Sequence, residues 1–116
     1  MTQEEKSILI KDLSARLPYE VKIETQTVPR KLFPMDLVCD ELPRPYLRPM
    51  SSMTQRENVY YECYKHYVVE GIYSIGNKTF CIADYFDYIN QHHFDYRGLI
   101  EKGLALPAPP DMYKID

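Results

Sequence analysis

The chain has no tryptophan, and only four glycines and three cysteines in 116 residues. Gly71, Gly76, Gly98 and Gly103 form neither Gly-x-Gly-x-x-Gly nor a P-loop, so nucleotide sites built on those motifs are excluded. Cys39, Cys63 and Cys81 are odd in number and widely spaced, which is not a disulfide framework. They are expected to be buried as small apolar residues in a reduced compartment. No charge-free run approaches the roughly 18 residues needed to span a bilayer. The polar start, residues 1–6, is followed by no apolar segment of a secretory signal. Basic excess is also missing: 14 Lys and Arg stand against 17 Asp and Glu, a formal charge of −3. A dedicated nucleic-acid binder usually carries the opposite balance. The expectation is a cytoplasmic protein with no membrane association.

What the chain does have is a globular composition and a surplus of tyrosine. Apolar residues make up 45% and charged residues 27%, which rules out a disordered or collagen-like chain. At this length one core is the norm. The 11 tyrosines and four phenylalanines supply broad apolar area, much of it with a polar tip, a composition favoured at recognition surfaces.

Periodicity predicts a small single α+β domain over 1–106 with about three helices and two or three short antiparallel strand pairs, followed by a Pro-rich tail over 107–116. Residues 2–17 read as a helix: Thr2 and Glu5 form a capping box, Leu9, Leu13 and Leu17 make one stripe, and Pro18 stops it. Residues 20–28 alternate and are β-branched, hence a strand ended by Pro29. An extended piece or turn follows over 30–33, and 35–42 suits a strand or a short helix equally. Residues 43–53, with Pro43, Pro45 and Pro49, form a stiff arm. Thr54 and Glu57 make a second capping box that opens a helix over 54–68, closed by Glu70 and Gly71. Gly76 and Asn77 between β-rich runs signal a hairpin. Asp84 is the expected N-cap of a helix from 85 to about 93, and a shorter helical piece over 96–102 ends at Gly103.

Six constellations in the sequence bear on chemistry. His92, His93 and Asp95 are metal-ligand types, but neighbours on a helix point about 100° apart, so one ion is not easily shared. Their alternative role is at a helix end, where a histidine meets free carbonyls. No family signature activates any cysteine. No glycine loop holds phosphate. Asp84 and Asp87 suit caps better than acid–base work. The helix with Tyr60, Tyr61, Tyr64 and Tyr67 reads as core or interface; Tyr61 lies off the stripe and is the expected exposed contact. The arm carries Arg44, Tyr46 and Arg48, and either packs on its own domain or meets a partner with little entropy cost.

Residues 44–54 (Arg-Pro-Tyr-Leu-Arg-Pro-Met-Ser-Ser-Met-Thr), 92–106 (His-His-Phe-Asp-Tyr-Arg-Gly-Leu-Ile-Glu-Lys-Gly-Leu-Ala-Leu) and the opening helix ending in Ala-Arg-Leu-Pro-Tyr (15–19) carry a resemblance. In this order they resemble blocks of small uncharacterised proteins of Bacteroides phages and integrated mobile elements. The resemblance covers about a third of the chain directly, and residues 20–42 depart from the pattern. It implies a phage or mobile-element setting inside a bacterial cell, with no activity, cofactor or site residue to carry over.

The expected function is therefore a non-enzymatic protein-interaction or regulatory accessory, with a protein partner or a second copy of itself. Arg44, Tyr46, Arg48, Tyr61 and Arg97 are the expected partner contacts, and no cofactor is expected. One alternative is a nucleic-acid-binding accessory using the region 29–56, where Arg30, Lys31, Arg44, Arg48 and Arg56 against Asp36, Asp40 and Glu41 leave a local +2. A second is a small metal- or thiol-dependent enzyme around His92, His93, Asp95 and Cys81.

Overall fold

Thr2 starts the first helix as expected. Its Oγ1 accepts from the Glu5 N–H at 3.0 Å while Glu5 Oε1 accepts from the Thr2 N–H at 2.9 Å, and α1 runs Gln3–Arg16. The computed structural model describes the backbone of residues 1–68, 73–75, 78–80 and 82–113, and the side chains of 1–62 and 83–113. Leu9 and Leu13 of α1 are fully buried, and with them Asp12 and Arg16, which share the same face at helical spacing. Pro18 sits at the start of a 3-10 turn, Leu17–Tyr19, as the chain leaves α1.

The strand expected over 20–28 shortens to β1, Lys22–Ile23, which pairs antiparallel with β2, Arg30–Lys31. Residues 34–38 settle the open choice between strand and helix: Pro34–Val38 is a 3-10 turn, held by the Phe33 N–H donating to Asp36 Oδ2 at 2.8 Å. Leu32 and Leu37 point inward to the core cluster of Leu9, Leu13, Val21, Ile23, Leu47, Leu99, Leu104 and Ala105.

The Pro-rich arm packs on its own domain along its whole middle. Glu24 N–H donates to the Arg44 carbonyl at 2.9 Å, and Pro45 bridges Ile23. Next, β3, Tyr46–Leu47, pairs with β6, Leu106–Pro107, and Arg48 exchanges hydrogen bonds with the segment 93–95. Proline suits these positions because each lacks only the N–H, while its carbonyl still accepts: Leu106 N–H donates to the Pro45 oxygen at 2.9 Å. β1–β2 and the pair of Tyr73–Ile75 with Lys78–Phe80 are two short antiparallel pairs of the expected kind, and the β3–β6 pair, which is parallel, is an addition to them. β6 straddles the expected boundary between domain and tail.

The second helix, α2, runs Gln55–Val68 behind its Thr54–Glu57 capping box. Its expected closure at Glu70 and Gly71 lies outside the described residues. β4, Tyr73–Ile75, and β5, Lys78–Phe80, form the expected hairpin register, and the turn residues Gly76 and Asn77 lie outside the description. The third helix, α3, is Ile82–Gln91, so Asp84 falls in its first turn rather than at the cap. The helix ends with His93 in the left-handed region at φ 62, where His93 N–H donates to Asn90 O and Phe94 N–H to Ile89 O. That is the paired hydrogen-bond pattern in which glycine usually sits. The expected helical piece over 96–102 is a series of turns. Gly103, at φ 74, closes them with the same pair of bonds, to Ile100 O and Leu99 O.

Candidate interaction surface

Two internal networks absorb most of the residues that the sequence marks as chemically capable. The first lies between α1 and the segment after α3. Arg16 donates from Nε to Asp12 Oδ2 at 2.8 Å and from a terminal nitrogen to the Phe94 carbonyl at 2.6 Å, with both partners of the ion pair fully buried. Arg97 completes the group, its Nε 3.1 Å from Asp12 Oδ1 and its terminal nitrogen donating to the Tyr96 hydroxyl. Both guanidiniums lie against the Tyr96 ring.

The second network clasps the arm to α2. Arg48 forms a bidentate pair with Glu57, both bonds 2.7 Å, while its guanidinium stacks 4.4 Å from the Phe94 ring centre. Burial pulls the Glu57 carboxyl upward, but hydrogen bonds from Arg48 and Thr54, together with the Arg48 charge, outweigh it and hold the pKa at about 2. His92 approaches Glu57 at 3.5 Å and packs on Tyr88. Its pKa is lowered, by burial first and also by Arg48, against the pull of Glu57. The neutral ring is therefore the favoured form.

The histidine-rich segment separates into three roles. Asp95 accepts the Leu99 N–H at 2.8 Å and the Ile100 N–H at 3.0 Å, one on each oxygen, so it caps a turn. His93 is buried and stacks on Tyr113 with ring centres 3.8 Å apart. Burial above all, then the charge of Arg16, drives its pKa down to about 3. His92, His93 and Asp95 thus face different partners, and among the described residues no cluster of three metal-ligating side chains forms. The side chains of His66, Cys63 and Cys81 lie outside the described residues.

The expected partner contacts divide in a similar way. Arg44 pairs with Glu24 at 2.9 Å on the surface. The Tyr46 carbonyl accepts from the Tyr113 hydroxyl at 2.7 Å, and that hydroxyl accepts in turn from the Lys22 N–H. Arg48 and Arg97 are engaged inside the chain rather than displayed, because each finds a buried carboxylate. Tyr61 is half-buried against Tyr85 of α3, ring centres 5.9 Å apart, and Tyr60 is the more exposed of the two, 6.1 Å from Tyr88. This correction follows from where α3 lies: it meets both tyrosines, so neither side of the expected stripe is simply inside or outside. The α2–α3 seam is a tyrosine cluster that continues through Phe86 to Tyr96.

The lobe 28–38 holds what the sequence reading missed. Val28, Phe33, Met35 and Val38 are exposed, Met35 at 77% and Val38 at 82%. In a 3-10 turn, residues three apart eclipse, so Met35 and Val38 form one outward ridge. Arg30 and Lys31 both reach the Phe33 ring, at 5.4 and 5.6 Å. Arg30 is bound bidentately by Asp36 at 2.8 and 2.9 Å. Cys39, at the end of this turn, is exposed, against the expectation of burial; its thiol donates to the Met35 carbonyl at 3.4 Å. A cleft of about 470 Å³ beside the lobe is lined by Glu24, Arg30, Asp36, Cys39, Glu41 and Arg44, among others. The sequence carried no signal for the exposed ridge: nothing local to Met-Asp-Leu-Val marks Leu37, rather than Met35 or Val38, as the inward position.

Compared with protein-family models, curated proteins and solved structures, the chain finds no match in any of the three. None of its helices, among the described residues, is long and apolar enough to cross a membrane.

Proposed function

We propose that this α+β protein is a non-enzymatic, cytoplasmic accessory that acts by binding another protein, in the phage or mobile-element setting that the resemblance implies. One observation carries the reading: Val28, Phe33, Met35 and Val38 stand exposed on one short lobe, while among the described residues Asp12, Arg16, Arg48, Glu57 and Asp95 are engaged in internal ion pairs and hydrogen bonds. Large apolar side chains exposed together on one short segment mark a surface used for interaction. The nucleic-acid alternative is less favoured because Arg30, Arg44 and Arg48, three of the five cations in 29–56, are each matched by a carboxylate. Phosphate contacts need such charges free.

The test is native mass spectrometry of the untagged protein expressed in a bacterial host of the kind that the resemblance implies. A stoichiometric complex with a protein, or a dimer, is the expected result. A bare monomer carrying a metal ion or a small molecule would overturn the reading in favour of an enzyme.

A further inference from the structure

We propose that residues 106–113 form a proton-released latch: the segment lifts off β3 as a unit, ahead of the rest of the fold, when His93 beneath it takes up a proton. The core ends just before this segment. Among the described residues Leu104 and Ala105 are the last to join the buried cluster, and Pro107, Pro109, Pro110 and Asp111 are exposed. The three prolines have no N–H to give. The hold of the segment, among the described residues, is therefore concentrated in a few bonds. Leu106 N–H donates to the Pro45 carbonyl at 2.9 Å and Ala108 N–H to the Leu47 carbonyl at 2.8 Å. The Tyr113 hydroxyl accepts from the Lys22 N–H at 2.8 Å and donates to the Tyr46 carbonyl at 2.7 Å. A segment tied by so few bonds, with little apolar surface buried, opens locally at lower cost than the core.

The Tyr113 ring lies over the His93 ring, centres 3.8 Å apart. The latch thus covers a buried imidazole whose Nδ1 has no hydrogen-bond partner among the described residues. The charges around this ring oppose a proton on it. Arg16 faces it from α1, Arg48 from the arm, and His92 precedes it at the end of α3. The carboxylates nearby are already engaged: Asp12 with Arg16 and Arg97, Glu57 of α2 with Arg48, and Asp95 with the Leu99 and Ile100 N–H groups. The Tyr113 phenol supplies no charge at neutral pH, since burial raises it to about 12. With the latch closed, burial first and these cations second keep His93 neutral down to about pH 3. Lifting the latch gives one ring face to water and moves the pKa toward the ordinary 6.5. The closed form binds the proton more weakly, so closure is at full strength above about pH 6.5 and weakens as pH falls below it. Release uncovers the Lys22 N–H and the carbonyls of Tyr46 and Leu47, so acid opens access to the middle of the arm.

The test is amide hydrogen exchange by NMR on the intact protein from pH 7 to pH 5, repeated at low urea. After correction for the intrinsic pH dependence of exchange, protection of Ala108 is expected to fall by up to about tenfold per pH unit below about 6.5, through an opening that urea does not change. The Leu9 and Leu13 amides of α1 are expected to stay better protected at every pH and to open more as urea is added. An Ala108 amide that exchanges only together with those of α1, with the same urea dependence, overturns the latch. Protection at Ala108 that is constant from pH 7 to 5 overturns its link to protons. Tyr113→Phe keeps the stacked ring and loses both bonds of the hydroxyl, so it is expected to raise the opening several-fold at every pH while the slope remains. His93→Asn is expected to abolish the slope, and a slope that survives it refutes the proposal. The wild-type ring gives a check that needs no substitution: imidazole nitrogen shifts that show His93 charged at pH 5 while Ala108 is still protected also overturn it.

Discussion

His93 occupies the left-handed position that ends α3, stacks on Tyr113 and has a buried Nδ1 without a hydrogen-bond partner among the described residues. Burial disfavours its charged form, and protonation would also place a second charge near the buried Arg16, so its pKa falls to about 3. The consequence for stability has a definite sign. The unfolded chain binds a proton at His93 near the ordinary histidine value, about 6.5, and the folded chain does not until about pH 3. Folding is therefore favoured above pH 6.5 and loses ground as pH falls between those values, by as much as roughly 1.4 kcal/mol per pH unit. Glu57, held at about 2, adds a further loss below about pH 4.5. Urea titrations at a series of pH values are expected to show midpoints falling from pH 7 to 5. His93→Asn, which keeps a residue tolerant of left-handed backbone, is expected to flatten that slope while lowering the plateau. An unchanged slope would refute the role given to His93.

At the scale of elements, the arm is held by few contacts of high quality. Arg48 joins it to the start of α2 through a pair that is nearly all buried. Replacing Arg48 with alanine leaves the Glu57 carboxylate desolvated with the Thr54 cap and the His92 ring but no permanent countercharge, and is expected to cost about 3 kcal/mol. Arg48→Met combined with Glu57→Gln removes the stranded charge and is expected to recover part of this. Denaturant unfolding of the single and double variants checks both, and a loss below about 1 kcal/mol for Arg48→Ala would show that the pair only orients the arm. The two capping boxes were legible because Thr and Glu three apart satisfy each other's backbone N–H whatever the rest of the chain does. The destination of Arg48 was not legible: its spacing of nine residues from Glu57 matches no helical or strand repeat, and only the bend of the arm brings them together.

At the scale of the molecule, the C-terminal segment acts as a strap across the fold. It runs parallel to β3, with Ala108 N–H donating to Leu47 O at 2.8 Å, and is fastened by the Tyr113 hydroxyl between Lys22 and Tyr46. Burial pushes the Tyr113 pKa up to about 12, so the hydroxyl stays a donor at neutral pH. Tyr113→Phe is expected to destabilise by about 1–2 kcal/mol, because the Lys22 N–H and Tyr46 carbonyl lose a buried partner. Hydrogen exchange at the Ala108 amide is expected to quicken in the same variant. Unaltered exchange there would mean that the strap holds without its fastening.

The sequence by itself determined α1, the α2 start, the β4–β5 register and the stop at Gly103, since each rests on residues within a few positions of one another: caps, turns, and the periods of 3.6 and 2. Asp12 and Arg16 also stood on the buried face of α1 in plain view, four apart among its leucines, although nothing local said that Phe94 and Arg97 would complete their hydrogen bonding. Only the tertiary structure decided the parallel pairing of β3 with β6, the internal use of Arg48 and Arg97, the exposure of Cys39 and the outward ridge of Met35 and Val38. These depend on chain segments that meet across tens of residues, where loop closure and the packing of the whole core choose the partner and local propensity has no vote.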